Sequence, residues 1–289
     1  MNNKIKLLPK KLWPSGLLEI PEPPEQLYIE GELPAPEEFT YLTVVGSRKF
    51  SNYGREACEE IIAGLAGYPV VIISGLALGI DTIAHKSALK TSLKTIGFPG
   101  SGLSRLVLHP SSNRKLADEI VASGGALLSE LEPEQPAGIH TFPRRNRLMA
   151  GISKGTLIIE AGERSGTLIT ARLTTEYNRD VYAVPGSIFS PSSYGTNWLI
   201  RQGATPITGA KDLLEALGFK IETEIKNKIN LAELTHDEKK VYEILAVEPL
   251  PRDELIMTLE LEPSVANTLL MMMELKNIIK ESAGEFRLQ

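Results

Sequence analysis

Between Phe142 and Arg147 the chain reads Phe-Pro-Arg-Arg-Asn-Arg. Three guanidinium groups, an amide and an aromatic ring therefore stand within six residues, in a protein whose net charge is -5. A guanidinium binds phosphate in a bidentate fork, and an aromatic ring stacks on any base. Together they supply what single-stranded nucleic acid requires. On a helix Arg144 and Arg147 share a face while Arg145 diverges, so two of the arginines can track one strand of phosphates. Phe142 precedes a proline, which places it in an extended segment with its ring free. The plainer alternative is a core phenylalanine beside arginines that are solvated or paired with Glu. The stretch alone leaves both readings open.

Three other stretches carry the same chemistry. In VVGSRKFSNYG (44–54) a strand ends at Gly46 and Ser47, and Arg48 follows as a phosphate donor. Glycine lets backbone N–H groups approach an anion, and a helix N-terminus favours negative charge. The stretch lacks the G-x-G-x-x-G fingerprint, so a dinucleotide is not indicated. The plainer reading is a tight turn with a solvated arginine. In SGLALGIDTIAH (74–85), Gly75 is read as a close backbone approach to a ligand, Asp81 as a helix N-cap, and His85 as a packed histidine rather than a base. In IIEAGERSGTLITARL (158–173) a loop from Gly162 to Gly166 leads into a helix opened by Ser165, Gly166 and Thr167, another end with free N–H groups and hydroxyls.

These loops need elements to hold them. Apolar, β-branched runs at 41–45, 70–73, 94–98, 126–130, 156–161 and 180–184 alternate with helical stretches at about 53–65, 80–89, 116–125 and 168–178. The runs lack polar alternation, as strands covered on both faces do. The pattern predicts a doubly wound, Rossmann-like parallel sheet over 41–217. Its strand ends would gather the Gly/Ser loops and the arginines into one trough. Residues 1–40 are proline-rich and read as an arm lying on that domain or partly disordered, with Trp13, Leu27 and Tyr28 as anchors. Residues 218–232 read as a polar linker. From 233 to 289 come a Thr235/Glu238 capping box, helices opened by Pro251 and Pro263, and a final turn and strand. These indicate a small winged-helix-like domain.

Charge is uneven along the chain. Residues 1–40 carry 4 Lys/Arg against 7 Asp/Glu, residues 41–212 carry 18 against 14, and residues 213–289 carry 9 against 15. A basic middle fits an anionic partner. One cysteine, Cys58, excludes an intramolecular disulfide, and the cysteine and four histidines show no zinc spacing. No stretch approaches the roughly 20 apolar residues of a membrane span. The lysine-bearing start lacks the apolar core of a secretory signal, so the cytoplasm is the expected location.

Taken together the motifs resemble the DNA processing protein A family (Smf/DprA). The matching residues are GSR at 46–48, SGLALGID at 74–81, FPRRNRLMAG at 142–151, EAGERSGTLITARL at 160–173, AVPG at 183–186 and GTNWLIRQGA at 195–204. Where the family usually has an aromatic-Pro pair, this chain has His109-Pro110, and it lacks the longer N-terminal helical domain of many members. The resemblance implies a homodimer that binds single-stranded DNA without catalysis or cofactor and hands it to the RecA recombinase in natural transformation. It carries strand binding onto Gly46, Ser47, Arg48, Phe142, Arg144, Asn146, Arg147, Ser165 and Gly166, with Arg164 as the candidate cation of its loop. The acidic C-terminal module lacks the charge of a duplex reader and is expected to contact protein or nothing. Two rivals remain: a phosphoribohydrolase-like enzyme using Glu160 and Glu163, although the paired glycines of that class are missing, and a pure interaction protein acting through the winged module.

Overall fold

The computed structural model describes residues 5–221, 234–282 and 284–288. It divides into two units, Met1–Ile221 and Glu222–Gln289. Most of the expected linker, residues 222–232, lies outside the described residues.

The first unit runs β1 (Lys6–Leu7), α1 (Gly16–Glu19), β2 (Tyr28–Gly31), β3 (Thr40–Val45), α2 (Asn52–Ala63), β4 (Val70–Ser74), α3 (Ile80–Lys90), β5 (Lys94–Gly97), α4 (Arg114–Ala122), β6 (Ala126–Ser129), α5 (Thr141–Ile152), β7 (Gly155–Ile158), α6 (Thr167–Glu176), β8 (Asp180–Ala183), α7 (Tyr194–Arg201), β9 (Thr205–Pro206) and α8 (Ala210–Ala216). The sheet order is β1-β2-β6-β5-β4-β3-β7-β8-β9. All neighbours from β6 to β9 are parallel. The chain starts the parallel sheet at β3, winds outward to β6, then returns to the other side of β3 with β7. The switch point of this doubly wound fold therefore lies between β3 and β7, where such folds hold ligands.

The strand composition explains the layering. Tyr41 and Val45 of β3 and Val71 and Ile73 of β4 face one core, shared with Leu148, Met149 and Ile152 of α5. Leu42, Val44, Val70 and Ile72 face the other, shared with Ile61 and Ile62 of α2 and Ile80 and Ala84 of α3. Adjacent side chains of a strand point to opposite faces, so a strand buried on both must be apolar throughout.

The proline-rich segment is part of the sheet. β2 pairs antiparallel with β6, and β1 with β2. Trp13 and Leu27 are buried, as are Leu8, Leu17, Ile20 and Ile29, and Tyr28 donates to Glu132 Oε2 (2.7 Å). Trp13 Nε1 donates to Leu8 O (2.8 Å), so the buried indole N–H is satisfied within the segment.

In the second unit, α9 (His236–Leu245), β10 (Leu250–Pro251), α10 (Arg252–Leu259), α11 (Pro263–Leu275), β11 (Ile279–Ser282) and β12 (Glu285–Leu288) form three helices and a three-stranded sheet ordered β10-β12-β11. The capping box is present: Thr235 N donates to Glu238 Oε2 (2.8 Å) and Glu238 N to Thr235 Oγ1 (3.3 Å). Pro263 opens α11 as expected. Pro251 does not lie within the first turn of α10; it is the residue before it and belongs to β10.

Candidate functional site

An open cleft of about 570 Å³ lies at the carboxyl ends of β3 and β7. Its lining carries four cations, Arg48, Lys49, Arg145 and Arg164, against one carboxylate, Asp81. Of the expected site residues, Gly46, Ser47, Arg48, Phe142, Asn146, Arg164, Ser165 and Gly166 line it. Gly75, Arg144 and Arg147 do not.

The loop after β3 is fixed locally. Ser47 Oγ accepts from Lys49 N (3.0 Å), and Ser47 O accepts from Ile80 N (3.2 Å) at the start of α3. A Cβ at Gly46 would stand 2.7 Å from the Ile80 side chain, so this glycine allows α3 to close on the strand end. Arg48 is left exposed, its guanidinium 5.7 Å from the centre of the Phe142 ring. On the far wall, Ser165 Oγ accepts from Thr167 N (3.2 Å) at the start of α6, so this hydroxyl and this N–H, both expected to be free, engage each other.

The arginine segment differs from the sequence reading. α5 starts at Thr141, so Phe142 and Pro143 are helical, not extended. Proline is compatible with a first helical turn, where N–H groups have no intrahelical partner. Starting the helix there changes which residues share a face. Phe142, Arg145, Asn146 and Met149 follow the i, i+3, i+4, i+7 pattern and line the cleft together. Arg144 and Arg147 also share a face, as expected, but it turns the other way. Arg147 is buried, donates to Glu22 O (2.5 Å) and pairs with Glu130; Arg144 Nε lies 3.5 Å from Glu130 Oε1. Arg147 thus ties the proline-rich segment to α5. Beginning the helical register one turn earlier would have found Arg145 from sequence; nothing in the sequence alone distinguishes Glu130 as the partner of the other face.

Arg145 forms the cleft floor. It is 8% exposed and donates to Gly75 O, to Phe98 O and, through Nε, to Asn146 Oδ1 (3.1 Å). Burial lowers its pKa to about 10, with Asp81 opposing, so it stays charged at neutral pH. Asp81 is not an N-cap: Gly79 occupies that position, and the Asp81 carboxylate accepts from Gly75 N (3.1 Å) and Ala77 N (3.4 Å). Burial raises its pKa, and the Arg145 charge and these two N–H groups oppose the rise. Gly75 serves this pair rather than a ligand, because a Cβ there would stand 2.0 Å from Arg145 Nη1 and 2.6 Å from Asp81 Oδ2.

Phe142 is half-buried rather than free. Its ring packs where a Gly100 side chain would be, and His109 lies 5.7 Å away, tilted by 57°. His85 is fully buried, and its Nδ1 lies 2.7 Å from Thr95 Oγ1. That hydroxyl donates to Ile72 O (2.7 Å), so the histidine Nδ1 carries the proton toward it. Burial lowers the His85 pKa to about 3. Glu160, a candidate acid, is buried outside the cleft and accepts from Ser51 N (2.9 Å), Ser51 Oγ (2.6 Å) and Ser192 Oγ (2.8 Å).

Fold and cleft define a Rossmann-like protein with a cationic, ring-bearing site at its switch point, followed along the chain by a winged-helix unit. The chain belongs to the DNA recombination-mediator protein A family, whose profile matches residues 4–218; that of the DprA winged helix domain matches residues 229–285. It is 43% identical over 208 residues to the DNA processing protein DprA of Streptococcus pneumoniae R6, covering 72% of each chain. With the protein Smf of Escherichia coli K12 it shares 44% identity over 209 residues, 72% of this chain but only 55% of that protein. The crystal structure of Streptococcus pneumoniae DprA superposes with a TM-score of 0.69 at 39% identity, covering 75% of both chains. A structure of Helicobacter pylori DNA processing protein A, which describes a single-stranded DNA binding mode, superposes with a TM-score of 0.67 at 28% identity, covering 75% of this chain and 96% of that one.

Proposed function

We propose that the protein binds single-stranded DNA in the cleft without sequence preference, and that as a cytoplasmic homodimer it delivers the strand to the RecA recombinase during transformation and recombination. The observation that carries the reading is the meeting of four cations and an aromatic ring at the switch point of the sheet. Phosphates are neutralised by Arg48, Lys49, Arg145 and Arg164, while bases stack on Phe142 and on the Arg48 guanidinium above it. Contacts to charge and to π-faces read no base edge, so the grip is tolerant of sequence.

The reading is one of binding, not turnover. Glu160 is held by two serines and a backbone N–H, and neither it nor Glu163 lines the cleft. A few phosphate contacts per subunit give a weak hold, and a second subunit on the same strand raises the effective concentration of the next contact. An exposed apolar shelf, Ile188, Phe189, Tyr194 and Trp198, beside a second groove of about 450 Å³, supports a protein contact of that kind. Titration of the purified protein with labelled oligonucleotides tests the function: single strands are expected to bind more tightly than duplexes. Equal binding to both refutes the strand-specific reading. Sedimentation tests the second subunit: Phe189→Ser is expected to shift the protein toward monomer, and an unchanged mass removes the shelf from the dimer.

A further inference from the structure

The third helix of the winged unit, α11, is the element that enters the DNA groove in a groove-reading winged helix. Here its inward face, Ala266, Leu270 and Met273, is fully buried in the unit's core. Its outward face is Ser264, Val265, Thr268, Met271, Met272 and Leu275, all exposed. On a helical wheel these six residues lie within about a third of the circumference, opposite the buried set. None is charged and none can make a bidentate contact to a base edge. Met271 and Leu275 are 64% and 69% exposed, although a helix apolar on both faces ordinarily has both covered.

The charges around the face are engaged within the unit. Glu274 accepts from Glu281 N (3.2 Å), Lys276 pairs with Glu238 (2.6 Å), and Arg252 is held by Asn267 (3.0 Å) and Glu281 (2.7 Å). Residues 234–288 carry 6 Lys/Arg against 11 Asp/Glu. On α10, which packs against α11, Met257 is exposed, with Asp253 and Glu254 one turn before it on the same face. Glu260 and Glu262, both exposed, lead into α11.

We infer that the outer face of α11 is a docking surface for an amphipathic helix of a partner protein, one with a short apolar face flanked by Lys or Arg. Methionine suits such a surface, because its flexible, polarisable side chain adapts to different apolar anchors. The stripe from Val265 to Leu275 is about 15 Å long, which matches about three turns of a bound helix. Surplus negative charge selects a cationic flank and opposes duplex DNA, anionic lipid and a second copy of the same unit. This inference does not rest on strand binding in the cleft.

The test uses the full chain and a fluorescent 14-residue amphipathic peptide of leucine and lysine. Two comparison peptides have the same length: one replaces lysine by glutamate, the other has the first composition in an order with no apolar face. The amphipathic lysine peptide is expected to bind, with both comparison peptides at least about tenfold weaker. The double variant Met271→Ser, Leu275→Ser lies on solvent-exposed positions and is expected to keep its unfolding transition and its oligonucleotide affinity while losing the peptide by about tenfold or more. Peptide affinity unchanged in that variant, or equal affinity for the scrambled or acidic peptide, overturns the inference. A loss of duplex DNA binding or of self-association in the variant overturns it as well, assigning the face to a groove or to a second copy.

Discussion

Replacing Arg48 by Ala isolates the electrostatic part of the cleft. Arg48 is exposed, so its truncation should change stability by no more than about 0.5 kcal/mol. Binding is different. Each phosphate neutralised on a single strand contributes about 0.7 to the slope of log affinity against log salt. Four lining cations set an expected slope of about -2.8, and three leave about -2.1. Between 50 and 200 mM salt the parent should therefore lose about fifty-fold in affinity and the variant about twenty-fold. At the low-salt end one charge-assisted contact, worth about 1.5 kcal/mol, corresponds to roughly tenfold weaker binding. Fluorescence anisotropy with a labelled oligonucleotide at four or five salt concentrations resolves both effects. Weaker binding with an unchanged slope would mean that Arg48 acts by positioning the Phe142 ring, not by meeting a phosphate. Unchanged affinity and slope would refute the cleft as the site.

Arg147→Ala should show the opposite behaviour: a salt slope equal to the parent's, but a loss of about 1–3 kcal/mol in urea unfolding, because Glu22 O loses its donor and the largely enclosed Glu130 carboxylate keeps only its longer contact with Arg144. Gly75→Ala should lower both stability, by about 1–3 kcal/mol, and the salt slope, since its Cβ displaces the Arg145 guanidinium from the floor; normal binding in a folded Gly75→Ala protein would remove Arg145 from the site. His85 titrates near 6.5 when unfolded and is pushed down to about 3 in the fold, so between these values the unfolded state binds the extra proton. Stability should thus fall as pH drops below 6.5, by up to about 1.4 kcal/mol per pH unit from this residue, and unfolding of a His85→Gln variant across pH should lack that component.

Much of the fold was legible in the strands. Val70 to Ile73 and Leu157 to Ile159 are apolar without alternation because both faces of the sheet are covered, and that pattern is local and periodic. The glycine and serine ends of β3 and of the segment after β7 were legible for the same reason: sharp turns at strand tips need particular residues. The proline-rich segment was harder. Its anchors stand out by size, but that β2 pairs beside β6 depends on contacts across about 100 residues, which no local pattern encodes.

The sequence by itself determined that the chain carries a parallel sheet, a set of small-residue strand tips, a cluster of cations next to a ring and a separate acidic helical unit. Only the tertiary structure decided which arginine faces the cleft. A helix face acquires meaning from what it packs against, and here Glu130 and the carbonyl of Glu22 take Arg147, while the carbonyls of Gly75 and Phe98 and the Asn146 amide hold Arg145 at the cleft floor. Apart from Asn146, those partners come from distant parts of the chain. A buried guanidinium is stable only where such groups converge, and their convergence is a property of the fold.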